Sequence, residues 1–192
     1  MAPLMTLVRG FAGKPLHPPL TDVSIGAYTA GVAMLVAGAL GLEQAAMVTG
    51  SVLAIRVGLI AAVPTIITGL VDLFAIPSGA PARTLGWLHL TAMATATGLF
   101  AGTFAVQLDG YRDGQILTLA LVLGLIAELT LTVGGYLGGA LTYVYGLRVL
   151  NRPDTAVSDA LLPGRAEPGP VDAPGARVGG AAGRRSGRTG RP

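Results

Sequence analysis

The chain has 192 residues, 52% hydrophobic and only 12% charged, with a net charge of +3 and no cysteine. Soluble domains carry roughly a quarter charged residues, so the composition excludes an ordinary water-soluble globule and points to lipid as the solvent. The missing cysteine excludes disulfides, iron–sulfur ligation and thiolate chemistry from this chain.

The first 15 residues are broken by Arg9, Gly10, Gly13, Lys14 and Pro15. They lack the continuous apolar core of a signal peptide, and none is expected. A membrane-spanning helix needs about 20 apolar residues. Four segments qualify: 20–42, 48–76, 85–108 and 116–147. The connections between them are short, which predicts antiparallel neighbours in an up-down-up-down bundle. Closed barrels are the other structures that lipid permits, and these runs are too long for barrel strands. The expected fold is therefore all-α, a polytopic four-helix transmembrane bundle.

Residues 1–150 balance six bases against six acids, so the excess charge lies in 151–192, with seven arginines against four acids. Arg9, Lys14, Arg83, Arg148 and Arg152 fall on one side of a four-span bundle. The opposite side offers Glu43, Asp109, Arg112 and Asp113. The positive-inside rule then puts both termini in the cytoplasm. The segment 1–15 is read as a cytoplasmic lead-in, 16–150 as the membrane domain, and 151–192 as a disordered tail rich in Pro, Gly and Arg. The tail end Arg184–Arg191 suits either solvation or anionic headgroups. It lacks the structured elements of a nucleic-acid binder, and none is expected as a partner.

Packing signals lie in the helices themselves. Gly134-Gly135-Tyr136-Leu137-Gly138-Gly139 holds two overlapping glycine pairs one turn apart, and Gly26, Ala30, Ala33, Ala37 and Gly41 form a small-residue stripe. Both permit close helix approach in lipid. Pro64 should kink the second helix.

Ionisable groups in membrane helices are costly and mark candidate sites. The two histidines, His17 and His89, fall at the cytoplasmic face with Asp22 and Asp72. Thr65, Thr68 and Asp72 share one face of the second helix, and His89, Met93 and Thr97 share one face of the third, so the two stripes are expected to meet. Three functional readings are open. His17 and His89 are axial ligands of haem b; or His17, Asp22, Asp72 and His89 hold a divalent metal; or these groups relay protons or pass a small solute. A structural reading stands beside them, with Asp72 pairing Arg83 and the imidazoles capping helix ends. His17 precedes Pro18-Pro19 and is expected outside the regular helix. Arg56 and Glu128 form a second group, read as a bundle-stabilising ion pair or part of a pathway. No nucleophile, phosphate-loop or metalloprotease motif is present.

Gly13-Lys14-Pro15-Leu16-His17-Pro18-Pro19-Leu20-Thr21-Asp22-Val23-Ser24-Ile25-Gly26 resembles the opening of the bacterial membrane domain-of-unknown-function family 2231 (DUF2231). Thr68-Gly69-Leu70-Val71-Asp72, then Arg83, Gly86 and His89, and finally the helix-four glycines with Thr142-Tyr143 resemble the rest of it. The resemblance implies a four-helix domain of the bacterial plasma membrane, Rieske-associated in some members and so set among redox proteins, with no established activity. The chain departs from the pattern at Ala140, where a histidine is expected after Gly138-Gly139, and without cysteine no Rieske extension is expected.

The expected function is an accessory redox or respiratory subunit, not an enzyme by itself, with a haem or metal site through His17 and His89. Its partners would be the lipid bilayer and a redox membrane protein or a second copy. The alternatives are a small transporter using Asp22, Asp72, His89 and Glu128, and a structural subunit docking through its glycine faces.

Overall fold

The computed structural model describes residues 15–149 and 157–161. The described residues are all-α, without strands: α1 (His17–Ala39), α2 (Gln44–Ala75), α3 (Pro81–Asp113), α4 (Thr118–Tyr143) and a single short α5 (Val157–Leu161). The expected cytoplasmic lead-in and most of the basic tail lie outside the described residues, and α5 falls within the stretch expected to have no fold.

Three helices, α1, α2 and α4, are long and apolar enough to cross a membrane. The third expected span is α3, which is long enough but falls short in hydropathy. Its middle is rich in Thr, Ala and Gly rather than Leu and Ile, and its ends carry Arg83, Asp109, Arg112 and Asp113.

His17 belongs to α1 rather than preceding it. The two prolines that follow occupy the first turn, where their missing N–H groups would have had no helical partner in any case. Thr21 Oγ1 donates to the His17 carbonyl at 2.8 Å and closes that turn. Pro64 lies within α2, which continues through it. Thr68 Oγ1 donates to the Pro64 carbonyl at 2.9 Å.

The helices pack mainly as two hairpins, α1 on α2 and α3 on α4, joined by lighter α2–α3 and α1–α4 contacts. At one end of the bundle Gly41 (φ 87°) and Gly114 (φ 63°) take left-handed backbone as the chain leaves α1 and α3. Gln107 is fully buried there. Its Nε2 donates to the Gln115 carbonyl at 2.7 Å and its Oε1 accepts from Leu117 N–H at 3.2 Å. The side chain thus satisfies two backbone groups of the α3–α4 turn that lipid cannot.

Across the diagonal α1 and α3 meet through Tyr28 and Phe100, whose rings stack with centroids 4.0 Å apart and planes within 2°. Val32, Leu35, Ile55, Ala96, Ala127 and Leu131 complete this core. Lipid tails are as apolar as leucine, so such a core is held by close fit rather than by exclusion of water. The fit requires small residues. A Cβ on Gly58 would come within 2.5 Å of the Tyr28 ring, and one on Gly31 within 2.5 Å of Ile55. Gly26 faces open space.

Gly58→Val should therefore overpack the ring stack and cost about 1–3 kcal/mol, seen as a lowered Tm in detergent. Gly26→Ala adds its methyl where nothing is met and should leave Tm unchanged or raise it. Equal effects of the two substitutions would contradict this packing.

Candidate functional site

At the end of the bundle opposite the Gly41 and Gly114 turns, each histidine is tied to the neighbouring helix of its own hairpin. His17 Nδ1 lies 3.0 Å from the Thr65 carbonyl of α2, with Thr68 Oγ1 at 3.3 Å. His89 Nδ1 lies 2.8 Å from the Gly134 carbonyl of α4. A carbonyl oxygen can only accept, so in the neutral ring Nδ1 carries the proton and Nε2 keeps its lone pair. Neither Nε2 has a hydrogen-bond partner among the described residues.

The two clamps share one design. Each ring packs on a glycine one turn beyond its carbonyl partner: a Cβ on Gly69 would come within 2.8 Å of His17 Cε1, and one on Gly138 within 2.9 Å of His89 Cε1. The sequence separation between His17 and His89 also divides Tyr28 from Phe100, Gly26 from Gly98 and Gly38 from Gly110. A second, shared separation divides Thr65 from Gly134 and Gly69 from Gly138. The α1–α2 hairpin is thus repeated as α3–α4, and parallel α1 and α3 face each other across an approximate two-fold axis along the bundle. Both imidazoles are half-buried at the same level of this repeat.

The expected meeting of two polar stripes takes a different form. Thr65 and Thr68 turn to His17 of α1, and Ser24 Oγ stands 3.3 Å from Thr65 Oγ1. On α3, His89 and Met93 turn to the Gly138 and Gly134 surface of α4. Thr97 lies beside the buried Tyr28 hydroxyl, which makes no hydrogen bond of ordinary geometry among the described residues. Hairpin partners, not facing hairpins, take up these stripes because the closest helix contacts lie within each hairpin.

Asp72 is held by Arg148, whose Nε donates to Oδ1 at 2.9 Å and whose Nη2 reaches the same oxygen. It is the one ion pair among the described residues. Arg148 has left-handed backbone (φ 61°), which turns the chain back over the histidine end after α4. Leu147 packs there against Leu73, Ile76 and Ala82. Arg83, the partner expected for Asp72, instead donates to the Ile76 carbonyl at 2.8 Å and lies over Phe74 at 5.9 Å. Asp22 is exposed. No three or more His, Cys, Asp or Glu side chains converge on a point among the described residues.

The expected Arg56–Glu128 ion pair is not formed. Glu128 Oε1 accepts from Thr29 Oγ1 of α1 at 2.8 Å, while Arg56 is exposed on α2. The two residues sit on α2 and α4, which face each other across the bundle with α1 and α3 between them.

Sequence reasoning missed the carbonyls of Thr65 and Gly134, the cradling glycines Gly69 and Gly138, and Arg148. The paired separations were the signal that could have found the first four. Imidazole nitrogen spectra of histidine-labelled protein in mildly alkaline buffer should show both rings as Nδ1–H tautomers. A dominant Nε2–H form at either histidine would break the clamp assignment.

No curated protein and no solved structure matches the chain. A family model described as "Predicted membrane protein (DUF2231)" matches residues 13–151. That span contains both hairpins, both histidine clamps and Arg148, and the chain belongs to this family of predicted membrane proteins.

Proposed function

We propose that the histidine end of the bundle is a two-imidazole binding site, where His17 and His89 would hold haem b. The observation that carries this reading is the doubled clamp. Metal-binding histidines donate their other ring N–H to a carbonyl or carboxylate, which fixes the tautomer and aims the free nitrogen. Both histidines have that bond, and both have a glycine surface that leaves the ring room. A bare cation needs three or four protein donors, and Asp72 is engaged by Arg148 while Asp22 is exposed. A porphyrin brings its own four nitrogens and asks the protein for two. Held by these residues, haem would supply one-electron transfer.

In this reading α3 is the fourth span. Its weaker hydropathy is offset because its Thr hydroxyls bond to its own backbone: Thr91 to Trp87, Thr95 to Thr91 and Thr103 to Leu99. The histidine end faces the cytoplasm, since Arg83 and Arg148 flank it and basic flanks stay on that side. The chain then serves as an accessory electron-carrying subunit of the plasma membrane.

Protein expressed with haem supplementation should purify with a Soret band, and His17→Ala and His89→Ala should each abolish it. Gly138→Ala presses on His89 and should weaken haem affinity about tenfold or more. A colourless, folded wild-type protein after supplementation would overturn the proposal.

A further inference from the structure

We infer that this chain associates with a second copy of itself in the membrane through Arg56 of one copy and Glu128 of the next. Arg56 sits about 18 Å along α2 from Gln44, and Glu128 about 15 Å along α4 from Thr118, at 1.5 Å per residue. Both helices start at the same end of the bundle, so the two charges lie at nearly one depth. Half of a ~30 Å hydrocarbon core is about 15 Å, which places that depth near the middle of the bilayer.

Arg56 is exposed on an otherwise apolar outer surface, and Glu128 lies half-buried at the edge of another. Arg56 is flanked by the exposed Leu53, Val57 and Ile60, and Glu128 by the exposed Leu125, Ile126 and Leu129. Arg56 has no hydrogen-bond or ion-pair partner among the described residues. Glu128 has only the neutral Thr29 hydroxyl on Oε1, and its Oε2 is buried without a partner. Charges at such depth face the bundle interior, a water-filled cavity or an opposite charge, and within one copy these two form no pair.

Copies lying side by side in the same orientation bring opposite charges together at matching depth. The surface beside Glu128 suits an incoming helix. Gly26 lies one turn from Thr29 on α1 and faces open space, so a neighbouring backbone can approach closely. The carboxylate's terminal torsion is soft, so a guanidinium reaching Oε1 can draw Oε2 around to it.

Charge exchange tests the pairing in the full chain. Wild-type protein in liposomes, diluted so that chance co-residence is corrected for, should show associated copies by single-molecule photobleaching. Arg56→Glu and Glu128→Arg should each reduce the associated fraction at least tenfold, and the double exchange R56E/E128R should restore it. Circular dichroism separates loss of association from loss of fold, and Arg56→Lys should retain association if a single-variant effect is electrostatic. The chain contains no cysteine, so Val57→Cys in one copy and Leu129→Cys in another give a direct oxidative crosslink. A monomeric wild-type protein, association indifferent to Glu128→Gln, or a double exchange that fails to restore association while remaining folded would overturn the inference.

Discussion

The two hairpins are held at a fixed separation where Tyr28 and Phe100 stack across the diagonal of the bundle. Flat rings at 4.0 Å leave no slack between α1 and α3, and the glycines beneath them, Gly58 under Tyr28 and Gly31 under Ile55, let α2 close on α1 at that separation. Without a hydrophobic drive between helices in lipid, dispersion contacts of this quality are the main source of cohesion. The positions of both histidines follow from it. His17 and His89 each precede their stacked ring by three helical turns, so fixing the rings fixes the imidazoles at one level.

Polar chemistry then works within that frame. Threonine and serine hydroxyls bond back to carbonyls one turn earlier along all four long helices, as at Thr21, Thr65, Thr103 and Thr132. They consume their own polarity and leave the helix apolar to its surroundings. The histidines behave differently. Their bonds cross from helix to helix, which costs a defined ring orientation and leaves one nitrogen of each ring unspent. That contrast separates the histidine end from an ordinary polar cluster.

The fold was legible because hydrophobic length is a coarse signal that lipid enforces strictly. Four helices were expected from four apolar runs, and their observed limits lie within about five residues of those runs, the largest difference being the extension of α3 to Asp113. The glycines Gly134 and Gly138 were read as close-packing positions, and they pack against Met93 and His89. The partners of charged groups were not legible. Asp72 was matched to nearby Arg83 by sequence proximity, yet Arg148 reaches it because the chain reverses after α4. Arg56 and Glu128 were matched by depth alone, and depth says nothing about which side of the bundle a residue faces. The histidine clamps were hidden because both acceptors are backbone carbonyls, to which only the matched separations of His17 from His89 and Gly69 from Gly138 point.

The repeat has a consequence for how such a bundle could arise and be rebuilt. Each hairpin carries its own turn, its own stacked ring and its own clamped imidazole, and the two run in the same direction along the bundle. The only covalent link between them is the short stretch from Ile76 to Ala80. A chain severed there would yield two half-proteins of similar architecture, each lacking the opposite half of the central stack and its side of the Asp72–Arg148 and Thr29–Glu128 contacts. The present single chain is then a tethered form of what two separate helical hairpins could assemble by pairing, with the tether raising their effective concentration rather than creating the site.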